Sequence, residues 1–197
     1  MFQHGDLIFT QLGTIENAIS AVTEGYRGAR VNHMGVVLIN NKGIFVLEAF
    51  PPEVRITQVD VFLRRSEDLE SKPRYICARL KKEYDALIPR AIEYGLSKRN
   101  IPYDALYLTD ESSLYCSELV VDMFRSANNR MPFFIERPMS FRDLITGEIH
   151  PAWVEYYSKF GMEVPQGEPG SNPGDISKDT RLSIVRVEGD ITGYNNH

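Results

Sequence analysis

The first half of the chain is built from short apolar runs separated by polar turns. The run at 7–10 (LIFT), opened by Gly5-Asp6, is β-branched and aromatic and predicts a strand. Thr14 reads as the N-cap of a short helix over 14–22, with Ile15, Ala18, Ile19 and Val22 on one face. A Gly/Arg-rich loop (EGYRGARVN) leads into a strongly apolar strand at 34–39. Asn40-Asn41-Lys42-Gly43 has the composition of a hairpin turn, and 44–49 is the returning strand. Pro51-Pro52 ends that strand, because neither proline can donate to a ladder.

Beyond it, 57–65 predicts a short strand and one helical turn, and 74–80 (RYICARL) a further strand. Helical spacing returns over 84–96, where Pro89 either kinks the helix or starts a second one. Ser112-Ser113 precedes an apolar helix over 115–127 with a buried stripe of Leu119, Val120, Met123 and Phe124. Aromatic loops and a short helix over 151–160 follow, then a Pro/Gly-rich stretch at 165–181 and a last strand at 182–187. Strands and helices are mixed rather than alternating, which predicts an α+β fold with a largely antiparallel sheet and excludes a doubly wound one.

Composition narrows the function classes. The 197 residues, 43% hydrophobic and 25% charged, suit one globular domain over 1–197 with a real core. A net charge of −5 and the lack of any Lys/Arg run argue against nucleic acid as a partner. No apolar run approaches the roughly 20 residues that span a bilayer. The start, MFQHGDLIFT, lacks a basic segment followed by an apolar one, so the chain as given reads as soluble and cytoplasmic; a truncated start would conceal an export signal. Two cysteines do not make a disulfide scaffold, and none of the four histidines forms an HxxxH or HExxH pair, so no metal or organic cofactor is expected. Nothing in the pattern reports the oligomeric state.

Three residues carry candidate chemistry. Cys116 sits at the predicted start of a helix (SSLYCSELVVDMF). A helix start carries partial positive charge and unpaired N–H groups, which favour thiolate over thiol and can serve an oxyanion. The alternative is a buried structural cysteine. His33 lies at the mouth of the apolar strand and suits a base, or a strand-edge histidine satisfied by backbone. Glu48 lies on the returning strand; with the turn at 40–43, residues near 35 and 48 come close across the ladder, so Glu48 can orient the imidazole if it points to the same face. Cys77, mid-strand between Ile76 and Ala78, reads as a small core residue, and His4, His150 and the terminal His197 lack a scaffold strand.

The motifs GDLIF at 5–9, NHMGVV at 32–37, VLEA at 46–49, PYD at 102–104 and YCSELV at 115–120 occur in an order that resembles the circularly permuted NlpC-like papain-fold hydrolases, the YiiX/YaeF/YebB-like group. There the nucleophile helix follows the histidine strand instead of preceding it. The resemblance runs from Gly5 to about Phe124. It implies a papain-like fold, an antiparallel sheet or partial barrel packed on the nucleophile helix, and cysteine amidase or peptidase activity. It implies Cys116 as nucleophile, His33 as base, Glu48 as orienting residue, and Tyr103, the tyrosine of the PY element, near the thiol or the oxyanion; Ser117 matches the motif beside the nucleophile. The implied substrates are peptide-like, such as cell-wall stem peptides, or lipid esters and amides. The aromatic segments 131–135 and Trp153, Tyr156 and Tyr157 are candidates to line an apolar groove, or equally to be core, the commoner place for such residues. A non-catalytic binding module on the same fold is the rival from another class.

Overall fold

The computed structural model describes residues 1–13, 17–108 and 112–196. In chain order the elements are β1 (Leu7–Thr10), α1 (Ala18–Val22), β2 (His33–Asn40), β3 (Gly43–Phe50), β4 (Glu53–Gln58), α2 (Val59–Arg64), β5 (Tyr75–Leu80), α3 (Ile88–Ser97), α4 (Cys116–Ala127), β6 (Arg137–Pro138), α5 (Pro151–Ser158), β7 (Pro169–Gly170), α6 (Pro173–Ser177) and β8 (Leu182–Glu188). Six strands form one sheet in the order β4-β3-β2-β1-β5-β8, and every neighbouring pair is antiparallel. The fold is α+β, as the mixed pattern predicts.

Period-2 alternation gives the sheet two faces. Leu7, Phe9, Met34, Val36, Leu47, Ala49, Ile76 and Ala78 share the main core with Leu119, Val120, Met123 and Phe124 of α4. Ile8, Val37, Val46 and Cys77 belong to a smaller cluster closed by Phe62 of α2. Both faces of the central strands are therefore covered, which is why 34–39 reads as continuously apolar rather than alternating.

The helices start where their caps allow. Pro89 lies in the first turn of α3, where its missing N–H costs nothing, so it starts a helix after a 3-10 turn at Lys82–Leu87. In α5, Pro151 follows His150, whose Nδ1 accepts from the Ala152 N–H at 3.2 Å. The proposed cap Thr14 and its neighbour Ile15 lie outside the described residues; α1 is capped instead by Asn17, whose Oδ1 accepts from the Ile19 and Ser20 N–H groups.

Two expectations are corrected. The strand expected at 57–65 begins earlier: β4 starts at Glu53, directly after the prolines, and pairs along β3 as an edge strand. Its charged Glu53 and Arg55 disguise it, because an edge strand tolerates polar positions that a central one does not. The stretch 165–181 is not all loop. It holds β7, paired with β6, and α6, which Asn172 caps through a 2.8 Å bond to the Asp175 N–H with Pro173 in the first turn.

One glycine is a close-approach position that bears on the site. A Cβ on Gly35 would lie 2.4 Å from Val46 Cγ1, 2.9 Å from the Leu47 carbonyl and 3.3 Å from Glu48 Cβ. The Gly35→Ala variant is expected to lose about 1–3 kcal/mol through overpacking, seen as a lower urea midpoint at unchanged slope.

Candidate active site

The site begins with the β2–β3 hairpin. Val36 pairs with Leu47, so the same register brings Gly35 opposite Glu48. His33 and Gly35 share a face, and Gly35 offers no side chain, so the Glu48 carboxylate reaches across to the imidazole. His33 Nε2 and Glu48 Oε2 are 2.6 Å apart. The alternation that the sequence leaves open is resolved: Leu47 faces the main core, while Val46 and Glu48 lie on the His33 side.

Glu48 is fully buried, and its other oxygen is held from two more directions. Thr57 Oγ1 and Arg65 Nη2 each donate to Oε1 at 2.6 Å, and Arg55 Nε stands 3.9 Å away. The Arg65 guanidinium lies over the Phe50 ring at 4.0 Å, while Phe50 and Phe62 pack on the imidazole with centroids 5.2 and 5.4 Å from it. Burial pushes the Glu48 carboxyl up, but the bond to His33 and the neighbouring positive charges outweigh it and hold the group below the usual carboxylate range.

With Nε2 engaged by Glu48, the second ring nitrogen is left to face Cys116, which lies close enough to raise the proton affinity of the imidazole. Cys116 is the first residue of α4, where the N–H groups have no intrahelical partner. The Tyr115 N–H is taken by Glu118 Oε2 at 3.3 Å, which fixes the helix start. Burial lowers the affinity of the His33 imidazole for its proton, but the neighbouring Cys116 and the bonded Glu48 carboxylate raise it to about 9. Cys77 differs. Burial and the adjacent Asp6 push its thiol up to about 12, and its sulfur lies 3.6 Å from Asp6 Oδ2 as a donor.

Cys116 opens onto a cleft of about 360 Å³. Tyr103, Tyr107, Tyr115, Phe141 and Trp153 form an aromatic wall, and Ser171, Asn172, Arg137 and Lys178 form a polar end. Ser117 also lines it, and its buried Oγ has no hydrogen-bond partner among the described residues. The five residues singled out from the sequence gather here: His33 hydrogen-bonded to Glu48 and next to Cys116, with Tyr103, Cys116 and Ser117 in the cleft wall. Of the proposed groove aromatics, Trp153 lines the cleft, but Tyr156 and Tyr157 turn their hydroxyls to the Ala105 and Leu106 carbonyls instead. Phe133 and Phe134 pack into the main core against Phe124, because aromatic rings of that size stabilise most where they are buried.

The residues that sequence reasoning missed are Thr57, Arg55, Arg65 and Tyr107. Glu48 pairs with Arg55 in the β3–β4 ladder, so a strand placed at 53–58 would have brought Arg55 and Thr57 beside Glu48. Arg65 and Tyr107 carry no local signal.

A model of the family described as "permuted papain-like amidase enzyme, YaeF/YiiX, C92 family" matches residues 1–185. The uncharacterized protein YiiX of Escherichia coli (strain K12) is 25% identical over 187 residues, covering 94% of this chain and 87% of that one. The crystal structure of the metalloprotein yiiX from Escherichia coli O157:H7 has the same fold, with a TM-score of 0.74 at 22% identity over 94% of this chain and 97% of that one. Among the described residues of the present chain no group of three or more His, Cys, Asp or Glu is placed to hold a metal ion. Both oxygens of Glu48 are already engaged by protein donors, so the site presents no vacant ligand set. Among the described residues no helix is long and apolar enough to cross a membrane.

The position of His33 gives a pH signature. Its folded value of about 9 lies above the ordinary 6.5, so the stabilisation it brings is complete below about pH 6.5 and is lost as the pH rises through about 9. The imidazole is expected to titrate near pH 9 by NMR and lower in Glu48→Gln. The fall in thermal midpoint between pH 7 and 10 is expected to shrink in His33→Ala.

Proposed function

The chain belongs to the permuted papain-like amidase family, and on that footing we propose that it cleaves an amide bond through a thioester formed at Cys116. The observation that carries this reading is the His33 imidazole, hydrogen-bonded to the buried Glu48 and next to Cys116, which starts a helix and lines a cleft. The Cys116 sulfur attacks the carbonyl carbon, and the carbonyl π electrons move to the oxygen. The Cys116 N–H and the Tyr103 hydroxyl meet that oxyanion. His33, held as imidazolium by the adjacent negative charges, gives its proton to the leaving nitrogen as the C–N bond breaks. Water then attacks the thioester, with His33 taking its proton, and the C–S bond breaks to return the thiolate. Glu48 stays ionised throughout and holds the ring in one orientation. Ser117 lines the cleft beside the nucleophile, with its hydroxyl buried behind the cleft surface.

A cell-wall stem peptide is one amide of the required kind. The aromatic wall of the cleft favours a second reading on the same residues, hydrolysis or transfer of a lipid acyl group. Muropeptides and N-acyl lipids assayed side by side separate the two.

The first experiment concerns the nucleophile. Iodoacetamide near neutral pH is expected to label Cys116 at least about tenfold faster than Cys77, whose thiol is held protonated. The preference is expected to disappear in His33→Ala. Equal labelling of the two cysteines, or no effect of His33→Ala, would leave a binding module on the same fold as the reading to pursue.

A further inference from the structure

Tyr107 is held in a conformation that tyrosine rarely adopts, at φ +55° in the left-handed region. Such backbone persists only where surrounding bonds over-determine it. Here Asp104 Oδ1 accepts from the Leu106 N–H at 2.7 Å, and Tyr156 and Tyr157 of α5 donate to the Ala105 and Leu106 carbonyls at 2.6 and 2.9 Å. The ring itself is met edge-on by Tyr115 and Trp153, with centroids 5.5 and 5.7 Å away. Two helices therefore clamp one side chain, and what the clamp aims is its hydroxyl, 3.4 Å from that of Tyr103 in the cleft wall.

The backbone of Tyr103 is bridged to Leu114, two residues before Cys116, and Tyr103 and Tyr107 line the cleft together with Cys116. Burial pushes both phenols above their ordinary range. Among the described residues neither hydroxyl has any partner but the other. The pair holds two protons, and one suffices for the bond between them. If Tyr107 donates to Tyr103, the Tyr103 proton is released toward the cleft. The separation exceeds the roughly 2.5–3.0 Å of a settled O–H···O bond, which suits a pair that tightens once a substrate oxygen draws on the Tyr103 proton.

We infer that Tyr107 is a positioning residue, whose hydroxyl orients the Tyr103 O–H toward the carbonyl oxygen of the substrate. The inference rests on Cys116 being the nucleophile. A merely structural Tyr107 would support the fold of the cleft but have no part in the oxyanion.

Two reagents separate these roles. Acylation of Cys116 by 4-nitrophenyl acetate passes through an oxyanion; alkylation by iodoacetamide displaces iodide at carbon and makes none. Removing one oxyanion donor commonly slows a reaction about 10²–10³-fold. Tyr103→Phe is expected to slow acylation about 100-fold and Tyr107→Phe about tenfold, both leaving alkylation within about twofold. The double variant is expected to be no slower than Tyr103→Phe alone, because Tyr107 acts through Tyr103. If Tyr107→Phe slows both reactions alike or neither, or if the double variant falls by the product of the singles, the positioning role is overturned while the nucleophile stands. If Cys116 of the unsubstituted chain reacts with neither reagent faster than Cys77, the nucleophile reading falls and takes this one with it.

Discussion

The hydrogen bond between Glu48 and His33 requires a full carboxylate to be kept inside the protein, and much of the surrounding structure follows from that requirement. An ionised carboxylate removed from water is costly unless each of its lone pairs is met. Glu48 is met by His33, Thr57 and Arg65, with Arg55 close behind. Those donors come from β2, from β4 and from the end of α2, so the third strand of the hairpin sheet and the helix after it complete the electrostatics of a residue in the second strand. The aromatic rings of Phe50 and Phe62 close the space around the ion pair and give the guanidinium of Arg65 a face to lie on. An imidazole in such surroundings keeps its proton to about pH 9 because the Glu48 carboxylate and Cys116 flank it, in spite of its burial.

The opposite side of the cleft is organised by aromatic contact rather than charge. Helix α5 carries Trp153, whose Nε1 donates to the Ala18 carbonyl at 3.1 Å, and Tyr156 and Tyr157, whose hydroxyls hold the segment before Tyr107. Tyr115 joins this cluster from the start of α4 and accepts the Ser171 N–H at 3.1 Å, tying the segment between β7 and α6 to the nucleophile helix. The polar hydrogen-bonded chain and the aromatic wall thus meet at Cys116 from two directions. The thiol sits where a rigid sheet edge faces a wall assembled from the later part of the chain.

How far this arrangement can be read from sequence depends on how local the signal is. His33, Glu48 and Cys116 stood out because each sits on a strongly patterned element and the hairpin turn at 40–43 sets the register between the first two, while their roles came from the order of the motifs and the face of Glu48 stayed open. The antiparallel α+β architecture was legible for the same reason. Arg65 was not, because an arginine ending a short helix looks like any solvated cation until tertiary packing brings it 2.6 Å from a buried carboxylate. Tyr107 was not, because neither its left-handed backbone nor its ring contacts leave a trace in residue spacing. The tyrosines of α5 were read as groove lining because apolar area is visible in a sequence, whereas the direction of a hydroxyl is not.

His33 and Glu48 belong to one hairpin, 15 residues apart, whereas Cys116 is supplied by the helix that begins with it. During synthesis the imidazole–carboxylate pair therefore leaves the ribosome well before the sulfur does. Hairpins close within microseconds, while a contact between residues 33 and 116 must wait for long-range assembly of the sheet with α4. The order of segments in this permuted chain makes the thiol the last of these three groups to arrive, and the cleft wall around Trp153 and Asn172 follows it, so a nascent or truncated chain ending before residue 116 holds the imidazole–carboxylate pair alone.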